Sequence, residues 1–237
     1  MAKNSVYDDI IGKLRGRIWI YGLIAFAIFG LVFEYASELI ELLGSKEFKL
    51  LPEGASLITL SPAEYFILRM KIAGYASISI IFLIAIIHVW RIVRSRTLLP
   101  EIGIGRLIGV FLCSIILFTL GTIYSLELML PLVLEYLHGD TADAGLSTTY
   151  SLSSFYHFIF LLTFSLGIGF QLPLVVMLML KLKLTDVEQL TKYRRHLIVS
   201  FFVIAAIITP PDVISQFLLA IPLMILYEIS ILVGKFT

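Results

Sequence analysis

The sequence predicts an all-α protein that crosses a membrane several times. Three observations lead to this fold class: 59% of the 237 residues are hydrophobic, only 15% are charged, and the mean hydropathy is +0.99. A soluble domain is typically about 45–50% apolar and about 25% charged. A water-soluble fold of this size would lack the polar residues needed to cover its surface. The net charge of +1 gives no indication of a nucleic-acid partner.

Six apolar segments are long enough, or nearly long enough, to cross a bilayer. A hydrocarbon core of about 30 Å requires about 20 apolar residues in a helix. The segments belong to a single membrane domain over residues 1–237, and we predict transmembrane helices at about 18–35, 72–90, 107–136, 155–180, 196–209 and 213–233.

The fifth segment is too short for an ordinary transmembrane helix. It stops at Pro210 and Pro211, and its roughly 14 residues extend only about 21 Å. Three interpretations are open: a re-entrant hairpin with the sixth segment, a tilted pair of helices, or a true span in a locally thinned bilayer. Basic residues precede the segment and none follows it in the next connection. This charge difference favours a true span.

The basic residues alternate between successive connections, and this pattern predicts the orientation. Lys and Arg precede the first helix and fill the second and fourth connections, whereas the connections at 137–154 and 210–216 contain none. Connections that stay in the cytoplasm carry the excess of Lys and Arg. The long first connection mixes both signs and weighs less in this rule. We therefore expect a multi-pass protein of the cytoplasmic membrane with both termini in the cytoplasm.

No enzyme motif or metal site is recognisable in the sequence. The HExxH, GxSxG, CxxC and P-loop patterns are absent. The four histidines lie on different segments, without the spacing of metal ligands within a helix. Cys113 is the only cysteine, so no intrachain disulfide can form. We expect no catalytic residue, no metal and no cofactor.

Two polar side chains at membrane depth are candidates for functional contacts, because such residues usually face a bundle interior or a water-filled cavity. Gln171 lies near the middle of the fourth predicted helix, close to Pro173, which we expect to kink the helix. Its amide either bonds to the backbone freed by the proline or forms a polar notch on an apolar face that contacts a partner. Glu228 lies near the cytoplasmic end of the last helix and is either an interfacial carboxylate or a partner contact.

A third candidate, Glu101, stands in a predicted cytoplasmic loop that is rich in arginine. A carboxylate in such surroundings is usually a salt-bridge partner within the loop. It can also be half of a site for an external cation, since carboxylates recognise arginine through charge-assisted, bidentate hydrogen bonds. The spacing alone leaves both interpretations open.

The C-terminal half carries the most specific motifs. Residues 209–216 read TPPDVISQ, between two apolar helices, and KYRR at 192–195 precedes them. Residues 167–173 read GIGFQLP, while LPEG at 51–54 and SPAEYF at 61–66 lie in the first outer connection. These strings resemble the TatC family of protein translocase subunits. The resemblance covers nearly the whole chain and is strongest from about residue 150 to 232.

The resemblance implies a role in protein export. TatC-type proteins bind the twin-arginine signal peptide of a folded cargo protein on the cytoplasmic face. They then recruit single-span amphipathic subunits of the TatA and TatB type, and they form homo-oligomers within the receptor complex. The proton-motive force drives transport, and the TatC subunit is not an enzyme. The family fold is a cupped bundle of six transmembrane helices with both termini in the cytoplasm.

The resemblance also places the signal-peptide site. Glu101 matches the family's loop glutamate that helps to bind the signal arginines, and Arg15 and Arg17 match the arginines of the N-terminal motif. Lys13 stands where the family has a second glutamate, and a lysine there would repel a guanidinium. Two acidic residues about one turn earlier are our candidates to substitute for that glutamate: Asp8 and Asp9.

Other matches to the family are expected to be structural or to serve assembly. The fourth-helix glutamate of the family is Gln171 here, which keeps the size and the hydrogen bonding and loses the charge. In this group we also place Pro52, Phe66, Pro131, Pro173, Pro210, Pro211, Asp212 and Gln216.

Two alternative functions stay open. A diverged TatC paralogue without standard twin-arginine recognition would explain Lys13, and also Ser95 and Thr97, which replace the family's usual proline and leucine. A small-solute transporter would need a charged midplane site on a broken helix. Pro173 supplies such a break, but no charged residue lies beside it.

Overall fold

The computed structural model describes residues 12, 15–44, 50–52, 55–95, 104–143, 145, 148–209 and 212–235, and most of these residues are helical. The helices are α1 Ile18–Gly44, α2 Glu64–Ser95, α3 Ile104–Ile123, α4 Leu130–Asp143, α5 Leu152–Gly169, α6 Leu172–Lys181, α7 Val187–Lys192, α8 Arg194–Ile208 and α9 Val213–Lys235. Two short strands, β1 Ser56–Ile58 and β2 Thr149–Ser151, lie between helices.

Among the described residues, five helical segments are long and apolar enough to cross a membrane: Ile18–Leu43, Glu64–Arg91, Ile108–Thr141, Leu152–Lys181 and Val213–Lys235. The predicted all-α membrane fold is therefore confirmed. The helices extend beyond several predicted bounds, because hydropathy marks only the part of a helix that lies in hydrocarbon. Thus α1 continues past residue 35 to Gly44, and α2 begins at Glu64 rather than at 72.

The fifth predicted segment corresponds to α8, which has 15 residues. At about 1.5 Å per residue this helix is about 22 Å long, short of the roughly 30 Å of a hydrocarbon core. It packs against α9, which follows it in the chain.

A π-helical turn, Tyr124–Met129, joins α3 to α4. The Leu130 amide donates to the carbonyl of Ser125, five residues earlier, instead of to the carbonyl four residues earlier as in an α-helix. Pro131 follows at once, and a proline inside a regular α-helix lacks an N–H and clashes with the carbonyl four residues before it. The wider turn relieves that conflict, so the segment at 107–136 stays continuous in spite of its proline.

Strands β1 and β2 pair in parallel, with Ser56 opposite Thr149 and Ile58 opposite Ser151. The sequence did not predict this small sheet, because three-residue strands are too short to show an alternating pattern. The pairing ties the first outer connection to the third, at the ends of the helices that the charge pattern assigns to the outer side.

Helix α5 lies at the centre of the bundle, where it packs against α2 and α3. Its residues Ile159, Leu162 and Leu166 are fully buried. A close approach of α3 and α5 depends on glycine: a Cβ added at Gly121 would lie 2.7 Å from the Leu166 carbonyl oxygen. Small residues allow such contacts between membrane helices, where packing replaces the hydrophobic effect as the driving force.

Candidate functional site

The fourth predicted helix is broken at Phe170 and Gln171, between α5 and α6. Pro173 stands in the first turn of α6, where a missing N–H has no intrahelical partner to lose. The interruption that Pro173 predicted is confirmed. The break lies near the middle of the membrane-spanning segment Leu152–Lys181.

Gln171 is fully buried and bonds to α3. The Ser114 hydroxyl donates to Gln171 Oε1 at 2.8 Å, and Gln171 Nε2 donates to the Ser114 carbonyl oxygen at 3.0 Å. A buried amide without water must find such partners within the protein. The structure differs from both arrangements considered from the sequence, because the amide neither bonds to the backbone freed by Pro173 nor lines an open face. It links the helix break to α3.

Arg17, at the start of α1, contacts the far end of α2. Its Nη1 donates to His88 Nε2 at 2.9 Å, and His88 Nδ1 is hydrogen-bonded to the Tyr21 hydroxyl. Because a guanidinium only donates, Nε2 accepts, and the neutral ring carries its proton on Nδ1. This three-residue cluster holds one of the predicted signal-site arginines beside the end of α2. No sequence signal links positions 17 and 88.

Several predicted site residues lie outside the described residues: Glu101, Asp8, Asp9, Lys13, Pro210 and Pro211. The helix ends that flank Glu101 are described, Ser95 at the end of α2 and Ile104 at the start of α3. Arg15 and Arg17 are both exposed. The described geometry thus brings Arg17 to the helix that leads into the Glu101 loop.

Glu228 forms an ion pair with Arg194 of the KYRR motif. Arg194 Nε lies 2.7 Å from Glu228 Oε1, and Nη2 donates to Oε2 at 2.8 Å. The neighbouring Tyr227 is buried, and its hydroxyl donates to the Leu190 carbonyl oxygen of α7 at 2.8 Å. The C-terminal half of α9 is therefore connected to α7 by the Tyr227 hydrogen bond and to the start of α8 by the Glu228 ion pair.

The predicted structural residues lie at helix ends and turns. Asp212 caps α9: its carboxylate accepts from the Ser215 amide at 2.7 Å and from the Ser215 hydroxyl at 2.5 Å. Gln216 is half-buried in the first turn of the same helix. The Phe66 ring packs edge-on against Phe33, with ring centroids 5.5 Å apart. In the first outer connection, the Pro52 carbonyl accepts from the Ala55 amide at 3.1 Å.

Glu64 is a site that the sequence analysis missed as an individual residue. This buried carboxylate accepts from the Leu60 amide at 2.5 Å, from the Ser153 amide at 2.8 Å and from the Ser151 hydroxyl. It thereby joins the start of α2 to the N-terminus of α5, where a negative charge is favourable. The pattern S-x-x-E at 61–64, typical of a capping box, was the available signal, and the Glu64 amide donates to the Ser61 carbonyl oxygen at 3.1 Å.

Within the described part of the chain, no group of three His, Cys, Asp or Glu side chains could hold a metal ion. The polar clusters found instead join pairs of helices or the two outer connections. Their chemistry is that of hydrogen bonding and ion pairing, which suits positioning and recognition.

Comparison with known proteins identifies the family. Residues 9–222 match the family model described as Sec-independent protein translocase protein (TatC). The TatC protein of Aquifex aeolicus is 37% identical over 225 residues, 94% of this chain and 92% of that protein. The TatC protein of Escherichia coli K12 is 27% identical over 224 residues, which cover 94% of this chain and 86% of that protein.

The fold agrees with these matches. A crystal structure described as the twin arginine translocase receptor TatC superposes with a TM-score of 0.81 at 33% sequence identity, covering 96% of this chain and 98% of that chain. A second crystal structure of the same receptor in DDM gives a TM-score of 0.80 at 33% identity, with 95% and 99% coverage. This chain belongs to the TatC family of Sec-independent protein translocase proteins.

Proposed function

We propose that this chain is the signal-peptide receptor and core subunit of a twin-arginine translocation system. Such a system exports folded proteins across the cytoplasmic membrane, driven by the proton-motive force. The observation that carries the proposal is the family match over residues 9–222, together with the similarity to a protein described as the twin arginine translocase receptor. The chain acts as a transport component and not as an enzyme.

We assign signal-arginine recognition to Glu101, with Arg15 and Arg17 organising the surface around it. The Arg17–His88 hydrogen bond supports this assignment, because it holds the start of α1 beside the end of α2. The loop that contains Glu101 runs between the ends of α2 and α3. A carboxylate there would bind a guanidinium of the signal through two parallel hydrogen bonds. Asp8 and Asp9 would supply the charge that Lys13 removes.

We assign the contact with single-span TatA-type and TatB-type subunits to the face of α8. Its side chains Val199, Val203 and Ile207 are exposed, and a recess of about 400 Å³ adjoins it. This α8 recess has an apolar lining that includes Phe82, Leu172, Phe201, Ile208 and Leu219. An exposed apolar helix beside an apolar recess suits packing against a partner's transmembrane helix. Homo-oligomers would form through other faces of the bundle.

We also propose six spans, with both termini in the cytoplasm and α8 as the fifth. A helix of about 22 Å spans only if the bilayer thins around it. Local thinning would lower the barrier to passage of a folded cargo. The hydrophobic thickness around α8, measured by spin-label depth profiles in nanodiscs, is expected to be several ångströms below that of the surrounding lipid. An unchanged thickness would contradict this mechanism.

Site-specific crosslinking tests the receptor function. A photo-crosslinker at exposed Gly105, about one turn beyond Glu101, would report on a synthetic twin-arginine signal peptide in membranes, with a twin-lysine peptide as control. We expect strong crosslinking that depends on the arginines and that Glu101→Ala abolishes. The matched variant Glu188→Ala, at an exposed glutamate of α7, should leave it unchanged.

A diverged paralogue is the second candidate, because Lys13 replaces an acidic residue of the family motif. Crosslinking of equal strength with the arginine and lysine peptides would favour this function. The variant Lys13→Glu separates the two cases. It should increase arginine-dependent crosslinking if the chain is a receptor, and it should have no effect if the chain has lost signal recognition.

A further inference from the structure

A second recess, of about 620 Å³, lies among the ends of α2, α3, α6 and α9. We call it the Lys181 recess. Its walls are almost wholly apolar and include Trp90, Val110, Cys113, Met177 and Ile229. Both rims continue into exposed apolar surface, through Leu112 and Ile116 on α3 and through Leu232 on α9. The recess therefore faces lipid, and the residues that line it are different from those that line the α8 recess.

The helix break between α5 and α6 accounts for the recess. Helix α3 packs against α5, with the close approach at Gly121, while α6 packs against α9. The break at Phe170–Gln171 thus separates the half of the helix that packs against α3 from the half that packs against α9. Pro173, directly after the break, lines the recess itself.

Among the described residues that line the recess, Lys181 is the only charged one. Within the described part of the chain it makes no ion pair and no hydrogen bond through its side chain. Two further polar groups line the recess: the Ser230 hydroxyl, which already donates to the Leu226 carbonyl oxygen at 2.5 Å, and the buried indole N–H of Trp90. A cation that has no partner among the described residues therefore lies at an apolar recess.

The recess lies at a defined depth. Trp90, Gly109 and Lys181 are all within two residues of the ends of their membrane-spanning segments, on the side that the basic residues predict to be cytoplasmic. The α3 wall from Gly109 to Leu117 rises about 12 Å, close to half of a hydrocarbon core of about 30 Å. The recess thus matches the depth of one leaflet, with Lys181 at the level of the headgroups.

We propose that the Lys181 recess binds an anionic phospholipid of this leaflet, with one acyl chain in the recess and the headgroup phosphate on Lys181. Its volume falls within the range of about 300–1,000 Å³ of specific ligand pockets. Basic pockets between transmembrane helices on the cytoplasmic side are suited to anionic headgroups. An acyl chain in the recess would form the dispersion contacts that the side chains lining an unfilled recess lack.

The two tryptophans of the chain allow a direct test. The variant Trp19→Phe leaves Trp90, in the wall of the recess, as the only tryptophan. In nanodiscs of phosphatidylcholine with a small fraction of chain-brominated phosphatidylglycerol, bromine quenches Trp90 fluorescence on close approach. We expect quenching to indicate an enrichment of about fivefold over brominated phosphatidylcholine at the same fraction, as one lysine near an anionic leaflet provides.

Matched variants separate the recess from general lipid contact. Lys181→Gln should abolish the preference for phosphatidylglycerol, whereas Lys183→Gln, at an exposed lysine outside the lining, should retain it. Gly109→Leu fills open space beside the recess and should reduce quenching by both lipids, whereas Gly105→Leu, also in open space, should not. In the converse variant Trp90→Phe, quenching of Trp19 should not respond to Lys181→Gln.

Three results would overturn the proposal. Equal quenching of Trp90 by the two lipids would show that no anionic lipid is selected. Loss of the preference on adding inorganic phosphate would assign Lys181 to a soluble anion. Protection of Cys113 from maleimide by a twin-arginine peptide, but not by phosphatidylglycerol, would assign the recess to the signal peptide.

Discussion

Arg194, the first residue of α8, and Glu228, about two turns before the end of α9, form an ion pair with contacts of 2.7 and 2.8 Å. The pair joins the start of the short helix α8 to α9 and helps to set the position of α8 in the bundle. The two side chains are 41% and 42% exposed, so solvent weakens the attraction.

The first prediction concerns this pair. Glu228→Gln should lower the free energy of unfolding by about 0.5–1 kcal/mol, the range for a half-exposed ion pair. Thermal unfolding in detergent at low salt measures the change. A double-mutant cycle that compares variants at Glu228, at Arg194 and at both positions gives the coupling energy of the pair. The exchanged pair Arg194→Glu with Glu228→Arg should recover part of the loss. A cycle without coupling energy would show that the contact has no effect on stability.

The second prediction concerns the helix break. Gln171→Leu leaves the Ser114 hydroxyl and carbonyl without their partner in a dry interior, which costs about 1–2 kcal/mol. Unfolding of the variant by a denaturing detergent should therefore begin at a lower concentration. The double variant Ser114→Ala with Gln171→Leu removes the stranded hydroxyl and should be more stable than Gln171→Leu alone. Equal stability of the two variants would argue against the bond.

The third prediction concerns Glu64, which joins the start of α2 to the start of α5. Glu64→Gln replaces a carboxylate that accepts on both oxygens by an amide with one oxygen, so its NH2 group would face either the Leu60 amide or the donors from Ser151 and Ser153. We expect the variant to be less stable, because hydrogen bonds to a charged acceptor are stronger than those to a neutral one. Hydrogen exchange of the amides in β1 and β2 should accelerate, while Glu38→Gln, at an exposed glutamate of α1, leaves it unchanged. Unaltered exchange in both strands would contradict this role of Glu64.

The fourth prediction compares two glycines of α3. A Cβ at Gly121 would lie 2.7 Å from a carbonyl oxygen of α5, whereas nothing lies within 4 Å of a Cβ at Gly109. Gly121→Ala should therefore destabilise the protein by about 1–3 kcal/mol. Gly109→Ala should stabilise it slightly, by up to about 1 kcal/mol, because alanine favours the helix. The same unfolding assay measures both, and equal effects would mean that α3 and α5 adapt easily.

The fold was predictable because long apolar segments in the sequence indicate membrane helices. The interruption near Pro173 followed equally from the missing N–H of proline. The short strands β1 and β2 could not be predicted, since a strand of three residues shows no periodic pattern in the sequence. The same applies to the extension of α1 and α2 beyond the apolar core, where polar residues continue the helix.

The candidate site was predictable only in part. Sequence reasoning could name Gln171 as a polar residue at membrane depth, but it could not find Ser114, because serine occurs often in membrane helices and bonds locally. Arg17 was identified from the family motif, whereas its contact with His88 depends on the packing of α1 on α2. Glu64 carried a local capping pattern, but its bonds to Ser151 and Ser153 join distant parts of the chain. The roles of Glu101, Asp8 and Asp9 stay predictions.

The pairing of β1 with β2 has a consequence for biosynthesis. Ser56 and Thr149 are separated by 93 positions, so the strap that they form closes only after the chain from α1 to the start of α5 has been synthesised. Until then, the Glu64 carboxylate lacks the hydrogen bonds that Ser151 and Ser153 donate to it. A nascent chain that stalls before residue 149 would present an open first connection to proteases, and closure of the strap would mark the insertion of the first half of the bundle, before the spans that begin at α5.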